Sequence, residues 1–300
     1  MSHRAANPRC HSKIGRMSAF LDRLAQQART LNRRIVFPEG DDERVRVAAE
    51  RLARDKVVQP ILVGASDAAA SPGVTLVNPA SHPRREHYAG LFYERRRAKG
   101  VTQQEARTTA ARPLYFASLM LAAGDADGLV GGASNTTAET VRAAIHCLGV
   151  HPDFRLISSF MLLVHPNEQF GSRGVIAVAD PAVVPDPTPS ELADIAIAAA
   201  DNGRCFLSDP PCVALLSFST KGSARHPMAD KVIEALKIIQ ARRPDLVVDG
   251  ELQADAALVE SVGRSKAPGS AVAGHANVLI FPDLNAANIG YKLAERLGGA

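Results

Sequence analysis

The chain has 300 residues, 46% hydrophobic and 22% charged, enough to bury a substantial core and, at this length, to form two domains. A net charge of +4 and a pI near 9.0 raise the question of a nucleic-acid partner, yet residues 1–16 hold Arg4, Arg9, Lys13 and Arg16 with no acid among them. With these four set aside the 35 basic residues fall to 31, equal to the 31 acidic ones, so no broad basic face and no nucleic-acid partner are expected.

Residues 1–16 read as a disordered basic leader, with Met17 as an alternative start. They lack the apolar core of a signal peptide, and no apolar run is long enough to cross a bilayer, so no membrane partner and a cytoplasmic location are expected. Cys10, Cys147, Cys205 and Cys212 have no zinc-type spacing and fit reduced thiols without a metal. Strands are expected at 34–37, 57–63, 128–131, 156–163, 175–179, 213–217, 246–249 and 278–281, with helical stretches between most of them. That alternation predicts an α/β protein with largely parallel sheets. Thr102 with Glu105, Thr136 with Glu139 and Thr188 with Glu191 have the spacing of capping boxes, the last strengthened by Pro189 in the first turn. The Pro- and His-bearing stretch around 150–154 marks a change of domain, giving 17–152 and 153–300.

Polar residues gather after several of these strands, where open α/β sheets hold their ligands. Asp127-Gly-Leu-Val-Gly-Gly-Ala-Ser-Asn-Thr-Thr-Ala-Glu-Thr-Val-Arg142 runs from a strand through small residues into a capped helix. Gly131, Gly132 and Ala133 let backbone N–H groups approach an anion, Ser134, Asn135, Thr136 and Thr137 add donors, and Arg142 lies further along the helix. The same pattern also fits an ordinary connection in which Glu139 and Arg142 form a surface pair. Ser217, Thr220, Lys221 and Ser223 form a second cluster that lacks the spacing of a Walker loop, and Asp283, Asn285 and Asn288 a third at a helix start. Taken singly, both clusters also fit turn and cap chemistry.

Together these segments resemble the phosphate acetyltransferase (phosphotransacetylase) family within the phosphate acetyl/butyryltransferase group. The resemblance runs from Met17 to Ala300 and includes Ile35-Val-Phe-Pro-Glu-Gly-Asp-Asp-Glu-Arg44, the 127–142 segment, Ala182-Val-Val-Pro-Asp-Pro-Thr188, Leu216-Ser-Phe-Ser-Thr-Lys-Gly-Ser-Ala224, Pro244-Asp-Leu-Val-Val-Asp-Gly-Glu-Leu-Gln253 and Asn277-Val-Leu-Ile-Phe-Pro-Asp-Leu-Asn285 onward to Leu297-Gly-Gly-Ala300. It implies two α/β domains like those of isocitrate and isopropylmalate dehydrogenases, an active-site cleft between them, and a homodimer. It also implies reversible acetyl transfer between acetyl phosphate and coenzyme A. Coenzyme A is a substrate, and the resemblance brings no cofactor.

Such a transfer needs a base for the thiol, since the thiolate is the useful nucleophile, and donors for the acyl phosphate and the tetrahedral oxyanion. The resemblance assigns substrate binding and catalysis to Arg96, in Glu94-Arg-Arg-Arg-Ala-Lys-Gly100, and to Arg142. Without it, Arg96 belongs to a solvated charge run. Family members continue past the Leu-Gly-Gly-Ala segment into a Ser-Arg pair and an Asp, so little transacetylase activity is expected of a chain ending at Ala300. Pro181 and Val184 stand where many relatives carry Cys and Asn. Two further readings fit the same scaffold: phosphate butyryltransferase, and a noncatalytic acyl-CoA-binding phosphotransacetylase-like module.

Overall fold

The structure is a computed structural model that describes residues 8–64 and 71–300. Its chain separates into two compact units, one of Leu21–Val150 and one of His151–Ala300 with the chain up to Phe20. The expected change of domain at 152/153 thus falls two residues earlier. Helix α1 spans Pro8–Leu31, so Pro8–Arg16 are helical backbone where the sequence reading had a disordered leader; the rest of that leader lies outside the described residues.

In the first unit β1 (Arg34–Phe37), α2 (Glu43–Arg54), β2 (Gln59–Val63) and β3 (Thr75–Val77) precede α3 (Arg85–Arg96), α4 (Gln103–Ala110), α5 (Pro113–Ala122), β4 (Gly128–Leu129) and α6 (Thr137–Cys147). The sheet runs β3-β2-β1-β4 with every pair parallel. Strand β3, absent from the sequence expectation, has only three residues, too few to show a period. Helix α5 buries Leu114 through Met120 without a break, so it shows no polar face; it is packed by α3, α4 and α6. Pro113 starts it, at a position where a missing N–H costs no helix bond.

The second unit contains β5 (Phe160–Val164), β6 (Val175–Ala179), α7 (Pro189–Gly203), β7 (Cys212–Leu216), α8 (Pro227–Arg242), β8 (Val247–Leu252), α9 (Ala254–Leu258), α10 (Glu260–Lys266), β9 (Val278–Ile280) and α11 (Leu284–Leu293). Its sheet runs β5-β6-β9-β7-β8, parallel except for β5 against β6. Both faces of this sheet are covered by buried apolar clusters, as a parallel sheet requires. Buried Asp194 on α7 pairs with Arg242 on α8 at 2.6 Å, which satisfies a charge that burial alone makes costly.

All three expected capping boxes form: the side chains of Thr102, Thr136 and Thr188 accept from the N3 amides, and Glu105, Glu139 and Glu191 reach back to the N-cap amides. The result is an α/β protein with two largely parallel sheets. Among the described residues no helix is long and apolar enough to cross a membrane.

Candidate active site

Parallel strands end on one edge of a sheet, and in both units the loops leaving those ends close around a buried carboxylate. In the first unit that group is Glu39, two residues past β1 and only 6% exposed. Strand β4 pairs with β1, and Val130 N–H still donates to Val36 at 3.0 Å, so the loop after β4 begins beside Glu39. The carboxylate then accepts from Gly132 N at 3.0 Å, Ala133 N at 2.8 Å, Ser134 N at 2.9 Å, Asn135 N at 2.7 Å and Asn135 Nδ2 at 2.8 Å. Gly132 has φ +109°, a conformation that favours glycine and lets successive N–H groups converge. Burial works to raise the Glu39 pKa, but the hydrogen bonds from Asn135, Ser134 and Ala133 outweigh it and bring it down to about 2.

The amides of Gly132, Ala133, Ser134 and Asn135 do converge on one anion, and that anion is the chain's own Glu39. Asn135 spends its side chain on the same carboxylate, Thr136 is the N-cap of α6, and Ser134 and Thr137 are exposed. Sequence reasoning gives Glu39, in the Ile35–Arg44 segment, no role; its signal is a carboxylate two residues beyond a strand that adjoins the nest. Across the loop, Arg44 donates to Ala133 O at 2.7 Å while paired with Asp42 at 2.7 Å.

Arg96 and Arg142 are 46 positions apart, yet the fold brings both charges to bear on one imidazole, His146 of α6. Burial lowers the His146 pKa first, and Arg96 and then Arg142 push it further down. Tyr115 O–H contacts His146 Nδ1 at 3.3 Å, and the Arg112 guanidinium lies over the Tyr115 ring at 5.2 Å. Arg112 and Arg142 both act on Glu139. Arg96 keeps its Nε buried without a hydrogen-bond partner among the described residues, whereas Arg142 is exposed. Arg112, missed from sequence, sits just ahead of Pro113, where it reads as a helix flank. The result is a basic cluster on α3, the start of α5 and α6.

In the second unit the loop after β7 wraps around Glu251, 2% exposed, which accepts from Ser219 Oγ at 2.8 Å and Gly222 N at 2.7 Å. The candidates expected here have internal partners. Ser217 Oγ accepts from Ser219 N at 3.2 Å, Ser223 Oγ from Thr220 N at 2.9 Å, and Thr220 Oγ1 from Gln253 N at 2.8 Å. Lys221 Nζ is bonded to the Asp249 carboxylate and to Gly250 O at 3.0 Å. Asp180 holds a third loop, accepting from Ser159 Oγ and from the amides of Ala182, Val183 and Val184.

The remaining candidates separate. Asp283 caps α11 through Ala286 N at 2.8 Å, and Asn288 donates to Pro181 O at 3.2 Å and accepts from Lys292. Asn285 is exposed and, with Asp283, lines a surface depression beside Asp186, Met228 and Lys231.

Two units with largely parallel sheets, carboxylate-anchored loops at their strand ends and a basic cluster in the first define an α/β protein whose polar loops gather where such sheets hold ligands. Residues 19–300 match the family described as phosphate acetyl/butaryl transferase, and the chain belongs to that family. It is 42% identical over 289 residues to a phosphate acetyltransferase of Thermoanaerobacterium thermosaccharolyticum, spanning 94% of this chain and 88% of the relative. It is 44% identical over 279 residues to a phosphate acetyltransferase of Paracoccus denitrificans, spanning 93% and 87%. A phosphotransacetylase from Streptococcus pyogenes has a solved structure that overlays at TM-score 0.87 with 39% identity, covering 94% of this chain and 87% of that one.

Proposed function

We infer that the protein is an acyltransferase that moves an acetyl group reversibly between acetyl phosphate and coenzyme A. The observation that carries this is the match of residues 19–300 to this family, in a first unit where Arg96 ends α3 and Arg142 stands on the helix α6 packed against it. Arg96, half-buried at the end of α3, and exposed Arg142 bind the phosphoryl oxygens of acetyl phosphate as charge-assisted donors. The coenzyme A thiol gives its proton to a base, the thiolate sulfur attacks the acetyl carbon, and the carbon–oxygen bond to phosphate breaks. Acetyl-CoA and inorganic phosphate leave. The arginine charges stabilise the oxyanion and the departing phosphate.

The protein works as a cytoplasmic homodimer. Its described cysteines, Cys147, Cys205 and Cys212, are free thiols, which suits a reducing compartment. Exposed Ile289 and Leu293 on α11, followed by Leu297, repeat every four residues and form an apolar stripe suited to a second copy. Acetyl-CoA formation from acetyl phosphate and coenzyme A, followed at the thioester absorbance, tests the activity. A folded protein that forms no acetyl-CoA and binds neither substrate overturns the reading.

A further inference from the structure

The nest formed by residues 132–135 is filled by the side chain of Glu39, which reaches it from the end of β1. We propose that Glu39 is a positioning residue for acetyl transfer: by gathering the amides of Gly132, Ala133, Ser134 and Asn135 it fixes the start of α6 and thereby the place of Arg142 on that helix against α3, which ends in Arg96. The proposal deepens the acetyl-transfer reading and rests on it.

The connection is short and continuous. Asn135, held through both its backbone and its side chain, is followed directly by Thr136, the N-cap of α6. Arg142 comes midway along that helix, and Ala143 and Cys147, on its buried face, lock the other end. A helix is stiff over this length, so its direction is set by its two anchors. Glu39 is one of them, reaching from the end of β1, while Gly131 leaves no slack: a Cβ there would lie 3.1 Å from Pro38 Cγ. Arg44 supports the loop from outside through Ala133 O.

A nest with successive N–H groups aimed at one point is ordinarily a seat for a ligand anion. Here a substrate phosphate entering it would have to expel a carboxylate that already accepts five N–H donors, counting the Asn135 side chain. The loop thus presents the side chains of Ser134 and Thr137 outward, and the substrate anion is left to the arginines.

Glu39→Ala in the full chain vacates the nest, and formate is the probe, a carboxylate small enough to refill it. Amide hydrogen exchange at residues 132–135 reads the nest directly, the NMR titration of His146 reads where α6 stands against Arg96 of α3, and kcat against KM reads the chemistry. In Glu39→Ala we expect faster exchange at these four amides and a raised His146 pKa as α6, carrying His146, shifts away from Arg96 on α3. We also expect a fall in kcat of about 10²-fold, the size of a roughly 1 Å misplacement. Formate should reverse all three, and chloride at equal ionic strength none. Restored exchange with kcat still low overturns the positioning role, as does an unchanged kcat in the variant. If the parent forms no acetyl-CoA, the acetyl-transfer reading has failed, and an unchanged His146 titration in Glu39→Ala then overturns this proposal on separate grounds. Should Glu39→Ala fail to fold, Glu39→Gln takes its place; full kcat and unperturbed exchange in that variant overturn it too.

Discussion

Ser219 Oγ donates to the Glu251 carboxylate at 2.8 Å where both residues are essentially sealed from solvent. The same hydroxyl accepts from Ala224 N at 3.1 Å, so one side chain joins a buried charge to the far end of its loop. Ser219→Ala leaves the charge short of a donor. A hydrogen bond to a buried charged group is worth about 1.5–3 kcal/mol, and the expected loss of stability is of that order. Urea unfolding of parent and variant measures it; a difference below about 0.5 kcal/mol would show that Gly222 N and water satisfy Glu251 without the serine.

Glu39 makes a prediction about acid. Its folded pKa of about 2 lies below the ordinary 4.5, so the group stabilises the native state fully above pH 4.5 and loses that contribution as pH falls from 4.5 toward 2. The shift corresponds to on the order of 3 kcal/mol. Glu39→Gln is therefore expected to be less stable than the parent at pH 7, with the gap narrowing between pH 4.5 and pH 3. Denaturant midpoints across that range provide the check, and a gap independent of pH would mean that the lost shape of the carboxylate, not its charge, is what matters.

Much of this architecture is legible in the sequence because its signals are local. Arg34–Phe37 and Val175–Ala179 are strands with the bounds their apolar runs suggest, and the three capping boxes form because each needs only residues three apart. The sequence also marks the loop at 131–135 as an anion nest. What it cannot show is which anion fills the nest, because Glu39 is 93 to 96 positions away from the amides it accepts and meets them only when β1 pairs with β4. The same holds for Lys221, whose charge looks available until Asp249, 28 positions on, is placed beside it. Strand β8 extends to Leu252, past Gly250, where a glycine and two carboxylates disguise it as a turn.

Acetyl phosphate is expected to be the preferred acyl donor over butyryl phosphate. The relatives near 40% identity are phosphate acetyltransferases. Each methylene added to the acyl chain changes discrimination by only about 1–3 kcal/mol, so the preference is one of degree. Comparing kcat/KM for the two donors decides it, and a higher value for butyryl phosphate would reassign the acyl specificity.

The arginine cluster gives the last prediction, and His146 reports on it. Arg96 and Arg142 both hold the imidazole below its ordinary pKa, after the larger effect of burial, so Arg96→Ala and Arg142→Ala should each raise it. A phosphate bound between the two arginines supplies the opposite charge and should raise it as well in the parent. NMR titration of His146 with and without inorganic phosphate separates these cases. In the same variants, loss of one charge-assisted contact to the substrate anion should weaken acetyl phosphate by on the order of 1.5–3 kcal/mol, about 10- to 10²-fold in affinity. Each single variant keeps the other arginine, which limits its loss, so the double variant should fall further than either. A His146 titration that ignores phosphate, together with unchanged binding in the double variant, would remove this cluster from the substrate site and leave the two arginines as surface charges.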